Sequence, residues 1–324
     1  MDAMPVFDVK RPTTMAEAAT LLATAGARII AGGTDLVPNL RRGLERPATL
    51  VDVTGIGALD TLSLDAKPRI VGAGVTLAAI IANVRIAQEY PALAQAASAV
   101  AGPAHRNAAT LGGNLCADTR CVFYNQSEWW RAANHYCLKR GGDTCHVAPQ
   151  GARCHAAFSG DVAPALIALD AVVELLSATG TRRLPLAELY RDDGAAHLAL
   201  EPGEMVVSVR LPPAPPGGAS GYRKARVRGG MDFPLAGVAV AIAMEADRVA
   251  QVRIALTGTN AHPLLLAGTE TLIGRPVDAD ALAAVGRLVA KQVSPMRTTA
   301  TASNYRRQVA SVLAQRLLRE LAGA

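Results

Sequence analysis

Residues 29–36 read Ile29-Ile30-Ala31-Gly32-Gly33-Thr34-Asp35-Leu36, and residues 110–114 read Thr110-Leu111-Gly112-Gly113-Asn114. The first closes a short apolar run that begins at Ala27, the pattern of a strand opening into a turn. Glycine has no side chain to hold a ligand away, so successive backbone N–H groups at such a turn can hydrogen-bond the oxygens of a pyrophosphate. One glycine pair is most often a bare turn; two within one α/β unit point to a dinucleotide. Neither fits G-x-G-x-x-G, which disfavours the ordinary doubly wound nucleotide fold.

Working outward, helix and strand signals alternate. Thr14-Met15-Ala16-Glu17 has capping-box spacing, and Ala18, Leu21, Leu22 and Ala25 share one face, predicting a helix from about Thr14 to Ala25 stopped by Gly26. Arg69-Ile70-Val71 runs into Gly72-Ala73-Gly74-Val75-Thr76, and Thr76 to Glu89 follows as one helical stretch ended by Pro91. Asp161 is placed to cap an apolar helix through Leu169, with a strand from Ala171 to Leu176 and another from Glu204 to Leu211. The stretch from Pro212 to Gly218 reads as a linker. Beyond it, three strand-like runs (Gly221 to Arg228, Gly237 to Glu245, Val249 to Thr257) precede three helical ones, an α+β pattern.

Composition bounds the rest. The chain has 324 residues, half of them hydrophobic and 19% charged, enough apolar material for a sizeable core. No window of about 18 residues is apolar enough for a membrane span, and MDAMPVFDVKRP lacks the form of a secretory signal, so a cytoplasmic protein with no membrane partner is expected. The net charge of +6 is dispersed and lacks interleaved aromatics, which argues against nucleic acid. Four of the five cysteines fall between Cys121 and Cys154, together with five of the twelve aromatic residues, among them Trp129 and Trp130. In a reducing compartment, clustered thiols favour metal binding or catalysis over disulfides.

The ordered set AGGTDL, VGAGVT, RNAATLGGNL and SGDVAPALIALDA resembles the FAD-binding medium subunit of the molybdenum hydroxylases, the xanthine dehydrogenase and carbon monoxide dehydrogenase family. Gly221-Tyr222-Arg223-Lys224-Ala225-Arg226, and Pro295 to Arg297 with Tyr305-Arg306-Arg307, extend the likeness over nearly the whole chain. The resemblance implies a two-lobed vanillyl-alcohol-oxidase-like FAD-binding domain followed by an α+β domain with a three-stranded antiparallel sheet and three helices. Expected boundaries are 1–215, as lobes of about 1–55 and 56–215, and 216–324. It implies FAD held by Ile29 to Leu36, with the pyrophosphate on Gly32, Gly33, Thr34 and Asp35, and by Thr110, Leu111, Gly112, Gly113 and Asn114. Ala101 falls beside the isoalloxazine, and Asp161 and Lys224 match residues that reach the cofactor. Helix cap, strand charge and packing alanine are the plain structural roles that compete at these last positions.

In that family the GGN motif is followed closely by the GD motif, whereas here 46 residues separate Asn114 from Asp161. Residues 120–157 therefore read as an insertion beside the flavin. Cys121-x15-Cys137-x7-Cys145-x8-Cys154 supplies the four thiolates of a 4Fe-4S cluster. Tetrahedral zinc takes the same number, with His135, His146 and His155 as possible substitutes. A one-electron centre beside a flavin has a use that a zinc staple lacks, so the cluster is the favoured reading, with Cys116 left as packing. Trp129-Trp130 fits either a small core under the insertion or a solvent shield for the cluster. A four-cysteine insertion at this place resembles the beta subunits of the 4-hydroxybenzoyl-CoA reductase branch. That likeness implies a large molybdenum-cofactor subunit, a small 2Fe-2S subunit, dimerised heterotrimers and ferredoxin as donor. An oxidoreductase subunit with no acid–base residue of its own is expected. An FAD subunit of another xanthine dehydrogenase-type hydroxylase with a structural zinc in the insertion, a stand-alone flavin oxidase and a zinc-stapled interaction protein are the alternatives.

Overall fold

The computed structural model describes residues 4–65, 67–298 and 301–324. Three sheets organise them. β1 (Asp8–Lys10), β2 (Ala27–Ile30) and β3 (Thr49–Asp52) form a parallel sheet in the order β1-β3-β2. β4 (Leu62–Ser63), β5 (Arg69–Gly72), β6 (Val172–Ser177), β7 (Gly180–Pro185) and β8 (Met205–Leu211) form an antiparallel sheet in the order β4-β5-β8-β6-β7. Helices between Leu77 and Leu115, and the helix Val162–Ala168, lie in the crossover from β5 to β6.

Local signals explain most boundaries. Helix Met15–Leu22 begins where Thr14 accepts the Glu17 N–H and the Glu17 carboxylate accepts the Thr13 N–H. The expected helix from Thr76 to Glu89 is instead two, Leu77–Ala82 and Val84–Glu89. Asn83 ends the first in an extended conformation and caps the second through the Ile86 N–H.

The C-terminal half is a meander of β9 (Gly218–Ala225), β10 (Ala236–Glu245), β11 (Arg248–Thr257) and the two-residue β12 (Leu264–Leu265), in the order β12-β11-β10-β9. Its sheet thus has four strands where three were expected, because Leu264 and Leu265 return along β11. Among the described residues its helical part comprises two α-helices, Ala279–Gln292 and Ser303–Ala322, and a 3-10 turn at Thr269–Leu272, in place of three helices.

Period-two alternation decides what each face of this sheet meets. Val238, Val240 and Ile242 of β10, with Val252, Ile254 and Leu256 of β11, turn toward the two helices. Ala239 and Ala255 face the opposite way, into the core of the N-terminal half. These small residues let β9 to β11 close on helices Pro91–Ala99 and Val162–Ala168, so the two halves share a core along one face.

Candidate functional site

The glycine turn after β2 leaves donors free. The N–H groups of Gly32, Gly33, Thr34 and Asp35 donate to no acceptor among the described residues. Gly33 has φ +67°, which aims successive N–H groups outward, and helix Leu36–Arg41 starts at once with no side-chain cap. Unsatisfied N–H groups at a turn that enters a helix favour an anion. The second glycine pair is wired differently. Leu111, Gly112, Gly113 and Asn114 donate to Val75, Ala73, the Thr110 hydroxyl and Thr110, respectively, so that loop is a capped helix start with its own donors spent.

What joins the two turns is a close backbone approach. A β-carbon on Gly32 would stand 1.9 Å from the Ala108 carbonyl oxygen, so only glycine lets the first turn lie against the end of the helix Pro103–Ala108, which leads into the second. Asn114 then accepts the Val162 N–H at 3.1 Å, capping the helix that Asp161 was expected to cap. Asp161 is released for another role. Its carboxylate accepts from the Tyr222 hydroxyl at 2.5 Å and from Lys224 Nζ at 2.9 Å, with Asp161 and Lys224 side chains 4% and 5% exposed. Burial pushes the Asp161 carboxyl upward, and Lys224 and Tyr222 oppose that by stabilising its charge. Lys224 also donates to the Ala99 carbonyl at 3.0 Å, beside Ala101, whose φ is +42°. Arg106 donates to the Val100 and Ala101 carbonyls and fixes the same loop.

Ile29 and Ile30 lie in β2 and Leu36 opens the following helix, so the sequence-derived residues fall along one continuous path of contacts. That path runs from the Gly32 turn through Ala108, Thr110 and Asn114 to Val162, Asp161 and Lys224, and ends at the Ala99–Ala101 loop. Tyr222 and Gln95, which accepts the Tyr222 N–H at 2.8 Å, were missed. Tyr222 stood inside the quoted GYRKAR stretch; Gln95 gave no sequence signal.

The Cys-rich segment is pinched at its base by a two-hydrogen-bond bridge between Arg120 and Ala157. Cys121, Cys137, Cys145 and Cys154 are all buried, all unpaired, and all line one small cavity, partly open to solvent. Phe123, Tyr124, Leu138, Lys139, His146 and Val147 complete its wall. Among the described residues no three Cys, His, Asp or Glu side chains form a group that could hold a single metal ion. Four thiols lining one space are the donor set that either tetrahedral zinc or a 4Fe-4S cluster takes. Backbone N–H groups of Tyr124 and Ala156 donate to the sulfurs of Cys121 and Cys154 at 3.3 and 3.4 Å.

Residues 121–156 hold four basic side chains, Arg131, Lys139, Arg140 and Arg153, against two acidic ones, Glu128 and Asp143. Among the described residues the buried Nε atoms of Arg131 and Arg140 have no acceptor, so the segment keeps spare donors even though Asp118 and Asp192 from outside it pair with Lys139 and Arg153. Burial pushes the Cys154 thiol up to about 12 and raises Cys121 as well, so a metal must displace their protons. Of the histidines, His146 lines the cavity but its Nε2 engages the Tyr136 carbonyl at 2.6 Å. Trp129 is 78% exposed and meets solvent, while Trp130 packs obliquely against Phe123 of the cavity wall, with ring centres 6.1 Å apart. Cys116 packs against the main core.

Two anchors tie this segment to the glycine turn. Arg131 and Arg140 donate to the carbonyls of Arg42, Gly43 and Leu44, at the far end of the helix that the turn opens. Asp35 accepts the Asp118 N–H at 2.9 Å and pairs with Arg120.

An α+β chain whose first glycine turn leaves four successive N–H groups without acceptors among the described residues has the donor set for a phosphate-bearing cofactor. Residues 5–214 match the FAD binding domain in molybdopterin dehydrogenase, and residues 220–321 match the CO dehydrogenase flavoprotein C-terminal domain. The aldehyde oxidoreductase FAD-binding subunit PaoB of Escherichia coli is 37% identical over 271 residues, covering 80% of this chain and 83% of that one. The carbon monoxide dehydrogenase medium chain of Afipia carboxidovorans is 29% identical over 96% of this chain and 94% of that one. A crystal structure of a Cu,Mo-CO dehydrogenase superposes with a TM-score of 0.81 at 26% identity, covering 99% of both chains. This chain belongs to the FAD-binding medium subunits of the molybdenum hydroxylases of the carbon monoxide and xanthine dehydrogenase type. It is an oxidoreductase subunit, and the expected fold class holds. No helix among the described residues is long and apolar enough to cross a membrane.

Proposed function

We propose that this chain is the FAD and 4Fe-4S electron-transfer subunit of a molybdenum-dependent dehydrogenase. The observation that carries the reading is the placement of four buried, unpaired thiols around one cavity, in a segment tied by Asp118 and Arg120 to the Asp35 end of the glycine turn. Cys121, Cys137, Cys145 and Cys154 would hold the cluster. Gly32, Gly33, Thr34 and Asp35 would hold the FAD pyrophosphate through their N–H groups, with Ile29 to Ala31, Leu36 and Thr110 to Asn114 shaping the cradle. Asp161, Lys224 and Ala101 would border the flavin ring. Both groups, when bound, supply one-electron exchange, and the protein supplies orientation, charge and insulation. The division into 1–215, with 120–157 inserted, and 216–324 is part of this proposal.

Substrate chemistry belongs to a large molybdenum-cofactor subunit in this reading, with a small 2Fe-2S subunit and a ferredoxin as further partners in the cytoplasm. Two chemistries are in play. The 37% identity with an aldehyde oxidoreductase subunit favours aldehyde oxidation. Reductive dehydroxylation of 4-hydroxybenzoyl-CoA draws only on the four-cysteine insertion, which reports on electron transfer and not on substrate.

Co-expression with its partner subunits, followed by iron, acid-labile sulfide, zinc and FAD analysis, tests the reading. About four irons and one FAD per chain are expected in excess of the small subunit's iron, and Cys137→Ser should lose those irons while keeping FAD. Zinc in their place, or unchanged iron in the variant, would overturn it. Turnover of aromatic and aliphatic aldehydes with a dye acceptor, set against reduction of 4-hydroxybenzoyl-CoA, separates the two chemistries.

A further inference from the structure

Lys139 is a buried cation between the two candidate cofactor sites. Its side chain is 7% exposed and forms part of the four-cysteine cavity wall. Nζ donates to Asp118 Oδ1 at 2.5 Å, to the Thr119 carbonyl at 3.0 Å and to the Thr119 hydroxyl at 2.5 Å. It also lies 4.5 Å from the centre of the Tyr124 ring, whose hydroxyl donates to Asp118 Oδ2 at 2.9 Å. The Asp118 N–H then donates to Asp35 in the glycine turn. Every proton of the ammonium is engaged, so the charge cannot swing away to water. A buried lysine is tolerated when it is paired, and Asp118 provides the pairing. The result is a fixed dipole with Lys139 in the cavity wall and the carboxylate at its end toward the turn.

We propose that Lys139 is the positioning residue that sets the reduction potential of the group held by Cys121, Cys137, Cys145 and Cys154, and that the Lys139–Asp118–Asp35 chain keeps this site in register with the flavin turn. The inference rests on the cluster reading above. Its physical basis is the sign of the charge. A cluster held by four thiolates is anionic, and each added electron makes it more so. A cation fixed in the wall stabilises the reduced form more than the oxidised one, and the carboxylate behind it works against that. The other bases of the segment are less suited to this role, since Arg131 and Arg140 point to the 42–44 carbonyls and Arg153 pairs with Asp192.

The test is an EPR-monitored redox titration of the whole complex, with iron, sulfide and FAD measured on the same samples. Lys139→Met is expected to shift the one-electron equilibrium at least tenfold toward the oxidised form, about 59 mV to lower potential. Lys139→Arg should stay within threefold of the unsubstituted protein, and Asp118→Asn should move the potential the opposite way, upward. Complex without iron in this chain would overturn the cluster reading and this inference together. Iron at full content, with potentials unmoved or moved in the same direction by Lys139→Met and Asp118→Asn, would overturn this inference alone. Should Lys139→Met lose its iron, the Asp118→Asn shift decides: an upward move supports the proposal, and none overturns it.

Discussion

The Tyr222 hydroxyl occupies the space that a β-carbon on Gly237 would need, 2.1 Å from that position. The two residues lie on neighbouring strands, β9 and β10, and the glycine is what lets the phenol cross from the C-terminal sheet to Asp161 in the N-terminal half. Gly237→Ala should push the ring aside and break a hydrogen bond to a charged, buried acceptor, worth about 1.5–3 kcal/mol. Tyr222→Phe should lose the hydrogen bond without the clash. Urea denaturation of both single variants and the double variant checks this. The double variant is expected to lose clearly less than the sum of the two, because both act on one contact.

Asp161 and Lys224 make a sharper pair. Removing one partner of a buried ion pair leaves the other charge uncompensated, at a cost of about 3–5 kcal/mol. Asp161→Asn and Lys224→Met should each release FAD during gel filtration and lower the unfolding midpoint. The combined Asp161→Asn, Lys224→Met chain should be more stable than Asp161→Asn alone. Flavin absorbance per chain and denaturation midpoints report both outcomes.

Much of this was legible in the residues. The AGGTDL and ATLGGN stretches mark the glycine turns, and Asp161 and Lys224, 63 positions apart, meet in a 2.9 Å contact that no sequence spacing shows. The reason the glycines matter was only half legible, because free N–H groups belong to the first turn alone, and a sequence does not show which donors the fold has already engaged. Asp161 as a helix cap was a sound local reading that a distant residue overrode: Asn114, 48 positions earlier, took the Val162 N–H. The short return strand at Leu264 escaped notice because two residues carry no periodicity. Lys139 gives no signal either, since a lysine next to an arginine reads as solvated until the fold buries it.

Gly32 separates packing from ligand approach. Gly32→Ala sets a methyl group against the Ala108 carbonyl at 1.9 Å and should force the two turns apart, with loss of FAD retention and a fall of several degrees in melting temperature. Gly102→Ala, where nothing lies within 4 Å, should behave as the unsubstituted chain in both measurements. Gly32→Ala with full flavin content would show that the loop junction is slack.

His197 makes acid stability testable. Burial first, and the Lys139 charge second, hold its pKa at about 4, against 6.5 for an ordinary histidine, while Nε2 engages the Ala117 carbonyl at 3.0 Å. A histidine with a depressed folded pKa binds fewer protons in the native state than in the unfolded one. Its contribution is therefore intact above pH 6.5 and is lost as pH falls from 6.5 toward 4. The full loss over that window is about 3 kcal/mol, at 1.36 kcal/mol per pKa unit. His197→Gln keeps a donor for the carbonyl and cannot titrate, so its unfolding free energy should fall less steeply between pH 6.5 and 4. Denaturant titrations of both proteins at pH 7.5, 5.5 and 4.5 measure the two slopes. Parallel slopes would mean that His197 takes up its proton in the folded chain as readily as in the unfolded one.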